Sequence, residues 1–497
     1  QGAFGVIVQG PMARAINQGE ILIKGAADGV AGQPPLQNVG MKGFASAGAA
    51  GGSVLNAAGG RITLDGINAV AMMANSVSTD SGKTTVRNDG IINILQGIDA
   101  VTKTANYGLW ADGARAVAIN AGTIELKGDG AIGAHARNGG TIEVEGTGQM
   151  NFDGVNQTGY YVLGAGSKVI DNSSGVQNVT TENSILYRVD GGASFDGTGS
   201  ASAVESSGKN ATALLVTSNS QASQLNTGNM TITASGEGAT GIKVMGNAQG
   251  TLAKETTLAL TGANSTAGIV DGSYSDITGG GDASYRGDAK LISYAKLDGS
   301  VATTANAIGY IARNGGTLEH RGNINFTAAD TTGVLVNGGT LNNIGDIHVN
   351  GVAVDIQGAN STVSNTGTIE ATDGEAAIKV GNGAHLDLNG NGIVKASGSA
   401  HGILLDSGAT GLTVKDVTIE MNPVGNGNAI DNRADIAGIK LDHPHITVDN
   451  GTGVRTASSM ANTHSGPLTV NGSGSGLLLQ KSNGPTATGC VAMSDVR

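Results

Sequence analysis

The feature that most constrains this chain is a thirteen-residue segment that occurs twice. Ala131-Ile-Gly-Ala-His-Ala-Arg-Asn-Gly-Gly-Thr-Ile-Glu143 returns as Ala307-Ile-Gly-Tyr-Ile-Ala-Arg-Asn-Gly-Gly-Thr-Leu-Glu319, 176 residues later and identical at ten positions. Each copy reads as a short apolar strand, a tight Asn-Gly-Gly corner and a second strand that opens Thr-(Ile/Leu)-Glu. Asparagine and glycine suit such a corner because they adopt positive φ at little cost. A unit this small cannot bury its own apolar side, so repetition implies stacking of one copy upon the next. On this reading Ile308, Ile311 and Leu318 point into the stack.

Shorter echoes extend the pattern. Thr123-Ile-Glu-Leu-Lys127 and Thr141-Ile-Glu-Val-Glu145 alternate apolar and polar residues, as a half-buried strand does. Toward the C-terminus, apolar segments begin near Ala307, Gly333, Val352, Ala376, Gly402, Ala429, Gly453 and Gly476, at spacings of 19 to 27 residues. That interval fits one coil of three short strands and three turns. Glycine makes up 83 of 497 residues, yet proline only 7, which excludes collagen. Gly, Asn and Thr disfavour helix, and neither a leucine-rich-repeat frame nor the longer period of a propeller is present. The expected fold is all-β: a right-handed, single-stranded parallel β-helix of about 20 coils, each adding about 4.8 Å. Residues 1–60 read as irregular N-terminal coils and a cap, 61–270 as β-helix, and 271–300 as a protruding loop or hairpin. Residues 301–480 read as the most regular β-helix and 481–497 as a C-terminal tail.

The net charge of −12 argues against nucleic acid as a partner. The single cysteine, Cys490, excludes an internal disulfide, and no apolar run is long enough for a membrane-spanning helix. The chain starts at Gln1 without a charged, apolar leader, so a secreted protein would be represented here in processed form.

The frame shared by 131–143 and 307–319, with weaker echoes at Gly333-Val-Leu-Val-Asn-Gly-Gly-Thr-Leu341 and Asn365-Thr-Gly-Thr-Ile-Glu370, resembles the coils of autotransporter passenger domains. These are the secreted parts of type V secretion proteins of Gram-negative bacteria. The resemblance covers most of residues 60–480 and is closest to the adhesin type, typified by pertactin and by the diffuse-adherence and self-associating proteins. It implies a non-enzymatic passenger displayed at the bacterial surface by a C-terminal outer-membrane barrel, which is not recognisable in this chain. The implied partners are host extracellular-matrix proteins, sulfated glycans or host cells. The alternatives are self-association between bacteria, leading to aggregation and biofilm, through ladders of Asn, Thr and Asp, and a β-helical polysaccharide lyase or depolymerase.

Chemistry-bearing motifs are few. The Gly-Asp-Ser-Gly and Gly-x-Ser-x-Gly signatures of serine hydrolases are absent. His443-Pro-His445 lacks a third ligand at recognisable spacing, so no metal or other cofactor is expected. Asp442 with Asp449, and Asp431 with Asp435, are carboxylate pairs of the kind that sugar cleavage needs, but Asp is also a favoured turn residue. With Trp110 as the sole tryptophan, stacking platforms for sugars look scarce. The candidate ligand-binding set is cationic and aromatic: Lys290, Lys296, Arg313 and Arg321 with Tyr285 and Tyr294, joined by His320, Tyr274 and Tyr310. Such a patch suits sulfated glycans. Arg286-Gly287-Asp288 is an integrin-type tripeptide in the expected loop. Asp112, Asp129, Glu143, Asp346 and Asp373 are candidates for an acidic face.

Overall fold

A computed structural model describes residues 2–25, 37–45, 51–76, 82–199, 203–274, 285–299, 306–422, 427–458, 460, 462–471, 475–479 and 491–494. The chain forms two compact units, 1–257 and 258–497. Both are parallel β-helices, and the described residues contain no helix.

In the first unit the longest strands of successive coils pair in parallel: Phe4–Gln9 with Asn38–Phe44, then Ala69–Asn75, Tyr107–Asp112, Ile132–Arg137, Thr158–Leu163, Ile185–Asp190, Thr212–Ser218 and Thr240–Gly246. Coil strands therefore begin at Phe4, well inside the segment read as irregular. A second sheet runs through Ala116–Asn120, Thr141–Gly146 and Lys168–Ser173, and a third through Thr123–Leu126 and Gln149–Phe152. The second unit repeats the plan. Its long sheet runs Thr266–Asp271, Ile308–Arg313, Thr332–Asn337, Val352–Gln357, Ala376–Val380, His401–Leu405, Asn428–Asn432, Thr452–Thr456 and Ser475–Leu479. Part of the expected loop, 275–284 and 300, lies outside the described residues, as do Cys490 and most of the tail. Lys290–Ser293 and Lys296–Asp298 are ordinary coil strands, paired with Thr317–His320 and Asn323–Phe326.

The repeated corner has a definite geometry. Asn138 and Gly139 have φ of 55° and 86°, and Asn314 and Gly315 have 53° and 87°. A Cβ on the next residue, Gly140 or Gly316, would lie 2.4 Å from the carbonyl oxygen of Ala111 or Val270 in the preceding coil. The first two residues thus turn the chain, and the third lets one coil lie directly on another. A second corner is built on an interior asparagine ladder. Asn17 Nδ2 donates to Asn56 Oδ1 at 2.9 Å, Asn56 to Asn88 at 2.8 Å and Asn88 to Asn120 at 3.0 Å. In the second unit Asn343 donates to Asn365 at 2.8 Å. All but partly buried Asn17 are interior, so the ladder joins coils within the molecule and its buried members are not available to join molecules.

From Tyr310 to Arg313 alternate residues enter the core, and Ile308 does not keep to that phase. Tyr310 and Ala312 are buried inward, with Leu318, while Ile308 and Ile311 lie on the outer side, only partly buried. The expectation that Ile308 and Ile311 build the core is corrected: the inward positions of this strand are 310 and 312. The tyrosine hydroxyl is tolerated inside because it pairs with Ser293 Oγ at 2.8 Å.

Candidate functional site

On the outer face of the first unit's long sheet, the register places Met73, Trp110, His135, Tyr161, Arg188 and Leu215 in one row, a coil apart. The neighbours on either side of each, such as Leu109 and Ala111 or Tyr160 and Val162, are core, so this row faces outward. It is nevertheless recessed: Trp110, His135 and Tyr161 are 6%, 5% and 9% exposed. The rings cover one another. Tyr107 packs on Trp110 with centroids 4.6 Å apart and on His135 at 5.3 Å, and His135 packs on Tyr161 at 4.9 Å. Guanidinium groups close over the ladder, Arg137 at 4.7 Å from the Trp110 ring and Arg188 at 5.6 Å from Tyr161. Burial lowers the His135 pKa to about 4, so the imidazole is neutral near pH 7. The result is a recessed stack of rings packed with Val39, Val70 and Met73, in which Arg188 is buried and only Arg137 and partly buried Tyr107 reach well into solvent.

This ladder was not foreseen from the sequence. A count of aromatics hides it, because its members stand one coil apart.

The foreseen cationic set is only partly assembled. Lys290 Nζ lies 3.2 Å from Glu319 Oε2, Arg321 pairs with the other oxygen of Glu319, and Arg321 also lies over the Tyr294 ring at 5.6 Å. Lys296 is on a different sheet, 3.6 Å from Asp298. Arg313 belongs to the long sheet and binds Asp271 at 2.5 Å, while Tyr285 packs edge-on against Tyr274 at 6.3 Å. Each of these four cations thus already has a carboxylate. Two further members are corrected outright: His320 and Tyr310 are interior, and burial lowers the His320 pKa to about 4, so it adds no positive charge. In the tripeptide, Arg286 and Asp288 are exposed and the Gly287 amide donates to Gly272 O at 2.7 Å.

The acidic candidates fall on separate faces and do not form one stripe. Asp112 closes a long-sheet strand, where it accepts from Arg137 at 3.0 Å and Asn138 at 2.7 Å. Asp271 plays the same part for Arg313 and Asn314. The arginine of the repeated segment is therefore structural in both copies. Glu143 lies on the second sheet, in a surface cleft of about 560 Å³ that Lys83, Arg115 and Lys168 also line. Asp129 holds a turn by accepting the Val155 amide at 3.0 Å, Asp346 is exposed at the start of Asp346–Val349, and Asp373 is a left-handed turn residue with φ 55°. His443 turns toward Asp442 at 2.7 Å, and among the described residues no group of three His, Cys, Asp or Glu is arranged to hold a metal. Of the carboxylates weighed for sugar cleavage, Asp431 is fully buried among cations.

In comparisons with known proteins, the chain matches no family model and no curated protein sequence.

Proposed function

We propose that this chain is a non-enzymatic adhesin passenger, displayed on the surface of a Gram-negative bacterium by its own outer-membrane barrel. It binds a host matrix protein or a sulfated glycan through the outer faces of its coils. The observation that carries the reading is the aromatic ladder Tyr107–Trp110–His135–Tyr161. These rings also pack with Val39, Val70 and Met73 and so serve the fold, but an aliphatic row would do that as well, whereas this one concentrates aromatic and guanidinium groups on an outward face. Lys290, Lys296, Arg313 and Arg321 contribute less, because each is already neutralised. The interior placement of the asparagine ladders removes one basis for self-association, which therefore stands second.

The test is retention of the purified protein on immobilised matrix proteins and on heparin, for the wild type and for Tyr107→Ser combined with Tyr161→Ser. Affinity should fall at least about tenfold, the scale of losing two aromatic anchors, while the circular dichroism spectrum stays that of β-structure. Undiminished binding by the double variant would sink the proposed face. Product formation from any glycan in a reducing-end or unsaturated-product assay would sink the non-enzymatic reading. Aggregation of displaying cells without host material would favour self-association.

A further inference from the structure

The outer face of the second unit's long sheet carries a group of side chains that is chemically incomplete. His401 opens the strand His401–Leu405, Asp431 lies within Asn428–Asn432, Arg433 follows it, and Arg455 is the register partner of Asp431 one coil on. Asp431 is fully buried. Its Oδ2 lies 2.8 Å from Arg433 Nε, 3.5 Å from Arg455 Nη1 and 3.6 Å from His401 Nε2. Its Oδ1 meets no donor. A buried carboxylate oxygen without a donor is costly.

The imidazole is in a more telling position. His401 Nδ1 faces the Asn428 amide N–H at 3.1 Å, and Nε2 faces Arg433 Nη2 at 2.9 Å. Both of those neighbours are donors and nothing else, whereas a neutral imidazole holds one N–H. Whichever nitrogen carries the proton points it at another donor. Burial, with the charges of Arg433 and Arg455, outweighs the pull of Asp431 and keeps the His401 pKa below its ordinary value. An acceptor oxygen placed beside Nε2 and Arg433 Nη2, within reach of both, resolves the conflict, and the guanidinium side is open, since the Arg433 and Arg455 side chains are 43% and 34% exposed. Two guanidinium groups on one carboxylate leave one positive charge. Glu375 and Asp406 flank the group, both held by Lys379 at 2.9 and 3.4 Å. With Lys379 they leave one negative charge, which balances the positive one beside it and disfavours a polyanion, so an anion is held by direct hydrogen bonds and not by net charge.

We propose that His401, Asp431, Arg433 and Arg455 form a binding site for a hydroxycarboxylate, the group that a uronic acid presents. Its carboxylate accepts from His401 Nε2–H and from the guanidinium groups. As the half-exposed Arg433 and Arg455 side chains turn outward to grip it, its neighbouring hydroxyl reaches Asp431 Oδ1, covered in the free protein, and supplies the donor that atom lacks. The site does not depend on where the protein is displayed or on the aromatic strip of the first unit.

The probes are D-galacturonate, its methyl ester and acetate, titrated into the full chain while the histidine ring nitrogens are followed by two-bond proton–nitrogen NMR. Galacturonate should move His401 to the Nε2–H tautomer, and the ester and acetate should each bind at least about tenfold more weakly, the scale of one lost charge-assisted hydrogen bond. Arg455→Gln and Arg433→Gln should each cut galacturonate affinity by about tenfold or more. Arg455, the longer-range partner of Asp431, keeps that comparison usable if the Arg433 variant unfolds. No response of His401 to galacturonate, an equal response to ester or acetate, or full affinity in the Arg455 variant would each overturn the assignment.

Discussion

Replacing Asp271 tests whether the repeated segment is a clamp. Its carboxylate, with a side chain 2% exposed, accepts from the Ser273 amide at 2.8 Å, Ser273 Oγ at 2.7 Å, Asn314 Nδ2 at 2.9 Å and Arg313 Nε at 2.5 Å. Hydrogen bonds to a charged acceptor contribute about 1.5–3 kcal/mol each when buried. In Asp271→Ala the donors on Ser273, Asn314 and half-exposed Arg313 can turn to water, so the expected loss is about 3 kcal/mol rather than the sum. Arg313→Ala removes the solvent-screened member and leaves the Ser273 and Asn314 bonds in place, so it should cost only about 1 kcal/mol. A stacked array need not unfold in one step, so the assay is amide exchange at Asn314, Gly315 and Gly316, which reads local opening of the corner. A pH series adds a second arm. Burial opposes the charge of Asp271, but its bonds to Asn314 and Ser273 and the nearby Arg313 prevail, and its pKa lies below the ordinary carboxylate value. A depressed pKa means the stabilisation is complete above the unfolded value near pH 4 and disappears as pH falls through the folded value. The protection lost in Asp271→Ala should therefore shrink with acidification. Equal opening in Arg313→Ala and Asp271→Ala, or a difference that persists unchanged in strong acid, would refute the clamp.

Other outcomes follow from the same geometry. Asn88→Ala interrupts the interior ladder, stranding a donor of Asn56 and an acceptor of Asn120, and should destabilise the first unit by about 2–3 kcal/mol in urea unfolding. A Cβ at Gly367 would lie 2.0 Å from the Gly345 carbonyl oxygen, so Gly367→Ala should separate two coils and raise exchange at their paired amides. His135 and His320, with folded pKa values of about 4 against 6.5, are bound by protons first in the unfolded state. Stability should therefore fall as pH drops from 6.5 toward 4, by at most about 3 kcal/mol for each. His320→Asn, which extends the Asn343–Asn365 ladder by one coil, should remove its share of that slope; an unaltered pH profile would count against a buried neutral His320.

The coil was legible because its requirements are local. Alternation, Asn-Gly-Gly corners and a spacing of 20 to 27 residues, as from Thr332 to Val352 and from His401 to Asn428, all derive from strand geometry and stacking. The phase of the alternation was harder. Reading Ile308 and Ile311 as core follows residue type, whereas the strand turns Tyr310 and Ala312 inward and accepts a tyrosine because Ser293 meets its hydroxyl. His320 misled for the same reason, standing where other coils place asparagine. The clamp had a signal that was available: Asp112-Gly113 and Asp271-Gly272 each come one coil before their Arg-Asn-Gly-Gly. The aromatic ladder and the His401 group had none until the register was known. Trp110, His135, Tyr161 and Arg188 are 25, 26 and 27 residues apart, intervals without meaning except in coils of those lengths.

The two candidate faces share a physical property that separates them from the scaffold. Inward positions are settled by packing, and most outward ones are satisfied by a carboxylate, a turn amide or water. Among the described residues, the fourth position of the long-sheet strand departs from this at Trp110 and Asp431. Trp110 Nε1 is buried without an acceptor, and Asp431 Oδ1 is buried without a donor beside an imidazole opposed by donors at both nitrogens. Each departure leaves one polar atom unmet, and a stacked fold offers an easy remedy, since an aliphatic side chain such as Leu215 or Leu404 serves in the same row. Residues that bury an unmet polar atom where the adjacent coil manages with an aliphatic one are the places to look for a ligand. By that criterion both proposed sites fall on the outer row of the long sheets, as aromatic rings in the first unit and as an incompletely paired charge cluster in the second.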